Sequence, residues 1–177
     1  QFIDQSGSVV LWQEDWAHLE LASEEKLAVL PNNELGIANI KLLGKFNRLD
    51  GWIAAQSVHR ITNHPIDKLI EAIDSFPGLS RRFEKIVTNL YTDYAHTPEK
   101  IAAALNTASE QAKLNSQAVV AVYEPLTNRR MYHTKEQHVG LFGDVSQLYW
   151  VPSYLAREDQ NQLVLSPSEL VAGLSPQ

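Results

Sequence analysis

Side chains suited to chemistry stand together in the stretch "TDYAHTP". Asp93 supplies a carboxylate, Tyr94 an aromatic ring and His96 an imidazole that can gain or lose a proton near neutral pH. The apolar run before them predicts a strand, and Thr97 followed by Pro98 is typical of a helix start. Ligands of open parallel sheets bind beyond the carboxyl ends of the strands. The residues alone leave two interpretations open, a site or only a capped turn.

A second polar group follows the next apolar run, "AVVAVY" at 118–123. Thr127, Asn128 and Arg129 come shortly after it, and the guanidinium of Arg129 is suited to holding a carboxylate. A solvated surface arginine is the alternative interpretation. Because parallel strands end at the same edge of a sheet, both polar groups are expected at that edge.

The elements that must position these groups alternate between strand and helix in the second half of the chain. The predicted elements are strand 85–92, helix 98–113, strand 118–123, a polar helix at about 134–142, strand 147–151, then a short "QLVL" and a final "SPSELVAGL". The run at 118–123 is apolar on both faces, as a central parallel strand is. This alternation predicts an α/β domain with a mainly parallel sheet.

The first half of the chain is organised differently. Short apolar runs predict strands at 8–12, 18–22, 26–30 and 37–43, and their close spacing favours antiparallel pairing. Two helices are predicted next, within "GKFNRLDGWIAAQSVHRI" and "NHPIDKLIEAIDSF", with Pro65 in the first turn of the second. The breaker "PGLS" at 77–80 predicts a boundary between domains 1–77 and 78–177.

Composition narrows the classes of function. The chain of 177 residues contains no cysteine, which excludes disulfides and thiolate chemistry. Its net charge of −6 argues against a general nucleic-acid binder, and the longest aliphatic run is too short to cross a bilayer. The six histidines follow no zinc-binding pattern. The first residue is Gln, from which we expect a piece of a longer protein.

Three motifs resemble the Mur ligases, and they occur in the family's order. "GLSRRFEKI" and, ten residues on, "TDYAHTPEKI" resemble the opening of the family's C-terminal domain. Upstream, "LLGKFNRLDGWIAAQSV" is similar to the helix that ends the ATP-binding central domain. The resemblance implies that residues 1–77 are the strand and helix tail of the central ATPase domain. Residues 78–177 would be most of a Rossmann-like C-terminal domain.

The resemblance also implies an activity. Mur ligases are cytoplasmic, ATP-dependent enzymes that build the peptide of peptidoglycan precursors. "GLSRRFE" is closest to those acting on UDP-N-acetylmuramate, whose amine substrate is L-alanine or the tripeptide L-Ala-γ-D-Glu-meso-diaminopimelate. "VYEPLTNRRM" resembles the tripeptide-adding, recycling type, since the L-alanine-adding type usually carries Q-P-H-R there. We therefore favour the tripeptide, and expect neither nucleic acid nor membrane as a partner.

Family roles carry over to matching nucleotide-binding positions. Arg82 matches an arginine near the ATP phosphates, and Asp93 matches an acid that accepts bonds from the ribose hydroxyls. Tyr94 would pack against the nucleotide, with filling of the core as the alternative. Asn47 matches an asparagine near the adenine. Asp50 stands where the family has a second asparagine, which puts that contact in question.

The resemblance assigns the remaining candidates to the reacting groups. His96 matches a histidine near them, with an orienting role as the alternative. Thr127, Asn128 and Arg129 lie where the family receives the incoming amine. ATP and Mg²⁺ would be held mainly by a phosphate loop, G-x-x-x-x-G-K-[ST], which these 177 residues lack. We therefore expect no turnover from residues 1–177 alone.

Two other functions remain open at this stage. A non-catalytic nucleotide- or peptide-binding module can be built on the same scaffold, because fold alone does not determine function. Another amide ligase of the superfamily, such as a folylpolyglutamate synthase, is the other alternative, and "GLSRRFE" argues against it.

Overall fold

The computed structural model describes residues 5–16, 18, 27–30, 34–152, 155, 158–164 and 166. The chain divides into two compact units, residues 1–77 and 78–177, and the boundary falls within "PGLS". Among the described residues, no helix combines the length and the apolar character needed to span a bilayer.

The first unit combines a small sheet with helices. Its elements are β1 (Val9–Trp12), α1 (Gln13–Trp16), β2 (Leu27–Leu30), α2 (Glu34–Ala38), α3 (Lys45–Thr62) and α4 (Ile66–Asp74). β1 and β2 pair in parallel, with Val9 opposite Leu27. The predicted antiparallel pairing is therefore wrong. The connection over residues 13–26 is long enough to return the chain to the same end of the sheet, which a tight hairpin turn cannot do.

The predicted strand at 37–43 is wrong as well, because helix α2 occupies its beginning. Ile37 and Ile40 are both buried and stand three residues apart, which is a helical spacing rather than the alternation of a strand. A Cβ atom on Gly36 would lie 2.6 Å from the Trp52 ring of α3, so glycine allows this close approach. Of the predicted strand 18–22, only His18 lies within the described residues.

The two helices predicted after these strands are confirmed as α3 and α4. Gly44 precedes α3 with a φ of 83°, and Asn63 ends it in the left-handed conformation while donating its N–H to the His59 carbonyl at 2.7 Å. Gly51 faces Ile73 of α4, where an added Cβ would lie 3.1 Å from Cγ2. Pro65 is the N-cap of α4 and so stands just before the first turn, rather than within it as predicted.

The second unit begins with a hairpin. Its elements are β3 (Glu84–Val87), β4 (Leu90–Thr92), α5 (Pro98–Leu114), β5 (Val120–Tyr123), α6 (Asn128–Thr134), a 3₁₀ helix (Lys135–His138) and β6 (Gln147–Trp150). β3 and β4 are antiparallel, so the single strand predicted at 85–92 is wrong. The chain reverses at Asn89, whose φ of 63° is one that asparagine tolerates better than most residues.

The helix predicted at 98–113 and the strands predicted at 118–123 and 147–151 are confirmed as α5, β5 and β6. β5 and β6 pair in parallel. The described sheets have two strands each, so β5 is not central, and its Val120 and Val122 side chains are exposed. This corrects the expectation of a strand buried on both faces.

Two further predictions for this unit are wrong. The helix expected at about 134–142 starts earlier, because Thr127 caps α6, and it has become 3₁₀ by Lys135. Residues 162–164 of the "QLVL" run form no strand, and residue 165 lies outside the described part of the chain, as does most of "SPSELVAGL".

A buried cluster anchors the ends of β5 and α6. Ile101, Tyr123, Met131 and Phe142 are each less than a tenth exposed. The Tyr123 ring packs edge-on against Trp150, with 4.7 Å between ring centroids. Burial raises the pKa of Tyr123 to about 12, so its hydroxyl stays protonated. This cluster fixes the ends of β5 and α6, next to the second polar group.

Candidate functional site

The structure brings the two motifs of the second unit together. The backbone N–H of Tyr94 donates to the carbonyl of Arg81 at 2.9 Å. The backbone N–H of Phe83 donates to Oδ2 of Asp93 at 2.7 Å. Arg82 lies between these two contacts and is therefore held beside the segment that carries Asp93, although the bonded partners stand ten or more residues apart along the chain.

The loop around Arg82 has an unusual backbone. Arg81 has a φ of 58° and Phe83 a φ of 46°, which is the left-handed region that side chains of this size rarely adopt. Each such residue costs about 1–3 kcal/mol and persists only where surrounding contacts impose it. Backbone strain of this kind concentrates at functional sites, and here it flanks one arginine.

A carboxylate that sequence reasoning missed supports this loop. Oε2 of Glu84 accepts the Arg81 backbone N–H at 2.8 Å and the Ser80 hydroxyl at 3.0 Å. The Arg81 N–H and then the Ser80 hydroxyl lower the pKa of Glu84, so its side chain stays ionised. The available signal was an acid placed three residues after the arginine that starts the loop.

The arginine itself faces solvent. Arg82 is exposed, and among the described residues no group bonds to its guanidinium. The neighbouring Phe83 ring stacks on Tyr91 of β4, with centroids 4.7 Å apart and planes 18° from parallel. The loop is thus fastened to the hairpin, while the planar guanidinium of Arg82 remains exposed to solvent. Such a group is suited to phosphate or carboxylate oxygens.

The exposed Tyr94 and the half-buried His96 form a second pair. The Tyr94 side chain is 45% exposed, so it does not fill the core, and its ring lies 5.0 Å from the His96 ring. Nδ1 of His96 lies 2.8 Å from the Tyr94 carbonyl oxygen. A carbonyl only accepts, so Nδ1 carries the hydrogen and Nε2 of the neutral ring carries the lone pair. His96 can therefore accept a proton or a hydrogen bond at Nε2.

The end of this stretch starts helix α5, as the sequence predicted, but the Thr97 side chain does not cap the helix backbone. Thr97 is the N-cap residue of α5, yet its side chain makes no bond to the helix backbone. Its hydroxyl bonds the Glu99 carboxylate, which also accepts the N–H of Glu99 itself. The backbone bond first and the Thr97 bond second lower the pKa of Glu99. A negative charge is thereby kept at the positive end of the helix dipole.

The second polar group is largely structural. Oγ1 of Thr127 accepts the Arg130 N–H at 3.3 Å and caps α6. Asn128 is completely buried, and its Nδ2 donates to the Leu163 carbonyl at 2.9 Å. The Arg129 side chain is exposed, while its backbone N–H donates to Glu158 at 3.1 Å. Of the three predicted amine-binding residues, Arg129 alone presents its side chain to solvent.

The adenine-side candidates lie in the first unit, on one face of α3. Nδ2 of Asn47 donates to the Leu43 carbonyl at 2.7 Å, which leaves its Oδ1 as an acceptor. Asp50 stands one turn further on, where residues three apart are neighbours. Asp50 is exposed as a residue, while partial burial of its carboxyl group raises its pKa.

A pocket of about 500 Å³, open to solvent on one side, lies in the second unit. The β3–β4 hairpin, α5 and β5 line it, and Asp93 belongs to its wall. Most of the other lining side chains are apolar or aromatic, among them Phe83, Tyr91, Ile101, Leu105 and Val120. The candidate nucleotide loop thus stands at the edge of a largely apolar space.

The described residues do not build a metal site. Within the described ranges, no group of three His, Asp or Glu side chains is arranged to hold an ion.

The fold and the loops together define the structural class of the protein. Parallel strands with a helix beside them, followed by polar loops, make this a mixed α/β protein with a strained arginine loop. The loop is built by the two motifs that the sequence sets ten residues apart.

Comparison with known proteins gives the family. The chain is 34% identical over 119 residues to the UDP-N-acetylmuramate–L-alanine ligase of Rickettsia bellii, which covers 65% of this chain and 25% of the relative. It is 31% identical over 140 residues to the ligase of the same name from Clostridium perfringens, covering 77% and 28%. The corresponding ligase of Xanthobacter autotrophicus is 32% identical over 130 residues, covering 71% and 27%.

These matches show that the chain belongs to the Mur ligase family. The chain spans about a quarter of the length of these curated relatives. No protein-family model matches it.

Proposed function

We propose that this chain is part of an ATP-dependent ligase that joins an amine to the lactyl carboxylate of UDP-N-acetylmuramate. The three relatives named above carry this substrate in their names, and each is more than 30% identical over well over a hundred residues. The observation that carries the proposal is the loop that joins "GLSRRFE" to "TDYAH", with Arg82 exposed between two carboxylate-supported turns.

The proposed reaction has two steps. Transfer of the γ-phosphoryl group of ATP to the carboxylate forms an acyl phosphate and ADP. The amine then attacks the acyl carbon, and the tetrahedral intermediate collapses to the amide and inorganic phosphate while the amine loses a proton. Little of this requires covalent participation by the protein, so positioning and charge stabilisation supply much of the rate.

The residues of this chain divide those tasks. The Arg82 guanidinium binds and orients phosphate oxygens with its planar donors. Asp93 has one oxygen engaged by Phe83 and keeps Oδ1 to accept a ribose hydroxyl. Tyr94 offers an exposed ring for packing against the nucleotide, and on α3 Asn47 and Asp50 are proposed for the adenine.

His96 is the proposed proton acceptor. Its Nε2 carries the lone pair because Nδ1 is committed to the Tyr94 carbonyl, so the ring is held in one tautomer. Nε2 is therefore proposed to accept the proton that the attacking amine loses. The alternative is that His96 only orients Tyr94 through the same bond.

L-Alanine is the amine that the relatives favour, since their names include it. The tripeptide L-Ala-γ-D-Glu-meso-diaminopimelate is the second candidate, supported by "EPLTN" in place of Q-P-H-R. In both cases Arg129 is proposed to hold a carboxylate of the amine substrate. The reaction would belong to peptidoglycan synthesis or recycling in the cytoplasm and would use ATP with Mg²⁺, held mainly by a phosphate loop outside these residues.

The test is an assay of the full-length parent protein with UDP-N-acetylmuramate and ATP. Phosphate release is measured with L-alanine and, separately, with the tripeptide. We expect release that depends on one of the two amines, and none from residues 1–177 alone. Nucleotide binding without release with either amine would instead indicate a non-catalytic module. Robust turnover by residues 1–177 would contradict the role given to the phosphate loop.

A further inference from the structure

We infer that Glu84 is a positioning residue whose carboxylate holds the Ser80–Phe83 loop in the shape that presents Arg82. The inference rests on the proposed function, since it assigns Glu84 a part in aiming Arg82 at nucleotide phosphate. Glu84 acts through Arg82 and does not itself touch the nucleotide.

The contacts of Glu84 lie on one side of Arg82. Oε2 accepts both the Ser80 hydroxyl and the Arg81 backbone N–H, at 3.0 and 2.8 Å. On the other side, Oδ2 of Asp93 accepts the Phe83 N–H at 2.7 Å. Arg82 is thereby bracketed by two carboxylates that bind backbone donors immediately before and after it.

This bracket has a conformational consequence. Arg81 and Phe83 are held at φ values of 58° and 46°, which their side chains disfavour. The Arg82 N–H closes the turn by donating to the Leu79 carbonyl at 3.1 Å. When one acceptor is removed, relaxation of the neighbouring φ angle rotates the peptide planes on which the direction of the Arg82 side chain depends. A strained conformation lasts only while its surroundings impose it.

Glu84 is itself firmly placed. It opens β3, where it pairs with Thr92 in the register of the hairpin, and Lys85 next to it pairs with Tyr91. A side chain on a paired strand is a more rigid support than one on a loop. The strand thus fixes Glu84, and Glu84 fixes the loop.

The experiment is a double-mutant cycle for ATP binding in the full-length parent protein. Glu84→Ala, Arg82→Ala and the double variant are compared with the wild type by titration calorimetry. Glu136→Ala is the matched control, because Glu136 is an exposed acid of the same unit, distant in sequence from the loop. We expect Glu84→Ala to weaken ATP binding about tenfold, the scale of a lost charge-assisted contact. The double variant is expected to bind no more weakly than Arg82→Ala alone, since coupled residues are not additive.

Two further measurements separate positioning from folding. Glu84→Gln keeps an acceptor oxygen, so we expect it to recover most of the affinity that Glu84→Ala loses and to unfold at the same temperature as the wild type. In the 177-residue chain, the Arg81 amide resonance is expected to shift as the Glu84 carboxylate is titrated with acid, and this shift is expected to vanish in Glu84→Gln.

The outcomes distinguish the positioning role of Glu84 from the proposed function of Arg82. If Arg82→Ala weakens ATP binding while Glu84→Ala does not, or if the two effects add, the positioning role is wrong and the proposed function stands. An Arg81 amide that does not respond to acid also overturns the positioning role. If Arg82→Ala leaves ATP binding unchanged, the proposed nucleotide site is wrong, and the inference fails with it.

Discussion

The two polar loops of the second unit have the same sequence logic and different structural outcomes. Each polar group follows an apolar run, and an exposed arginine accompanies each: Arg129 within the second, and Arg82 in the Ser80–Phe83 loop that is hydrogen-bonded to the first. The Ser80–Phe83 loop with Asp93 and Tyr94 is called the first loop here, and residues 127–129 the second loop. In the first loop, carboxylates hold the backbone, and the aromatic ring of Tyr94 remains exposed. In the second loop, the polar side chains themselves are consumed by the fold, since Asn128 is buried and bonded to the Leu163 carbonyl.

The difference teaches where to look for a site. A polar residue after a strand is a candidate only if its functional atoms remain available once the loop has folded. Backbone strain adds a second criterion, because φ angles in the left-handed region occur at Arg81 and Phe83 and not at residues 127–129. By both criteria the first loop is the stronger candidate.

The largest expected effect tests the first loop directly. Arg82→Ala in the full-length parent should lower kcat/KM for ATP by about a hundredfold, the scale of losing one preorganised charge-stabilising donor. Arg129→Ala is the matched control, expected to change KM for the amine and leave KM for ATP unaltered. Steady-state phosphate release measures both. Equal effects of the two variants on ATP would remove the distinction between the loops.

The next largest effect is on stability, and it tests the second loop. Asn128→Ala should lower the free energy of unfolding by about 1–3 kcal/mol, because the completely buried Asn128 amide and its bond to the Leu163 carbonyl are lost. Arg129→Ala, one residue on and exposed, should change it by less than about 0.5 kcal/mol. Urea denaturation of the 177-residue chain measures both. A stable Asn128→Ala variant with impaired amine binding would return Asn128 to the site.

Two histidines extend the comparison to pH. His96 lies beside the first loop, whereas His138 follows the second and is 1% exposed. Burial lowers the pKa of His138, although its bond to the Thr134 carbonyl opposes the shift. Among the residues that the structure describes, none bonds to the buried Nε2 of His138, so an added proton there would be an uncompensated buried charge.

The sign of the pH effect follows from that lowered pKa. Below about pH 6.5 the unfolded chain takes up a proton at His138 that the folded chain resists. Stability is therefore fully present above that pH and falls as the pH decreases toward the folded-state value, by at most about 1.4 kcal/mol per pH unit. Denaturation curves from pH 7.5 to 5 measure it. An unchanged slope in His138→Gln would show that another group is responsible.

The smallest effect compares the two helix caps. Thr127→Ala should cost about 1 kcal/mol, because its hydroxyl oxygen accepts a helix N–H. Thr97→Ala should cost less, since the Thr97 hydroxyl bonds Glu99 rather than the backbone, and the Glu99 carboxylate stays at the helix start. Thermal unfolding of both variants measures the difference. A larger loss for Thr97→Ala would mean that its bond to Glu99 matters more than a direct cap.

The sequence by itself determined the three longest helices and the order of the motifs. α3, α4 and α5 were predicted from apolar periodicity and from local signals such as Gly44 and Pro98. Helical periodicity and helix-end signals depend only on residues within about four positions of one another, so they can be recognised in the sequence without knowing the tertiary structure. Exposed Arg82 and Tyr94 were recognised because family motifs mark them.

Tertiary structure alone decided the pairing of strands and the division of labour among polar side chains. The parallel pairing of β1 and β2, the hairpin at Asn89 and the burial of Asn128 each depend on partners far away or on one turn angle. Glu84 was missed for the same reason: a glutamate shows its importance only when its carboxylate is seen to accept two donors of a strained loop. The partners of side-chain hydrogen bonds come together only when the chain folds, whereas helical periodicity can be read directly from the order of the residues.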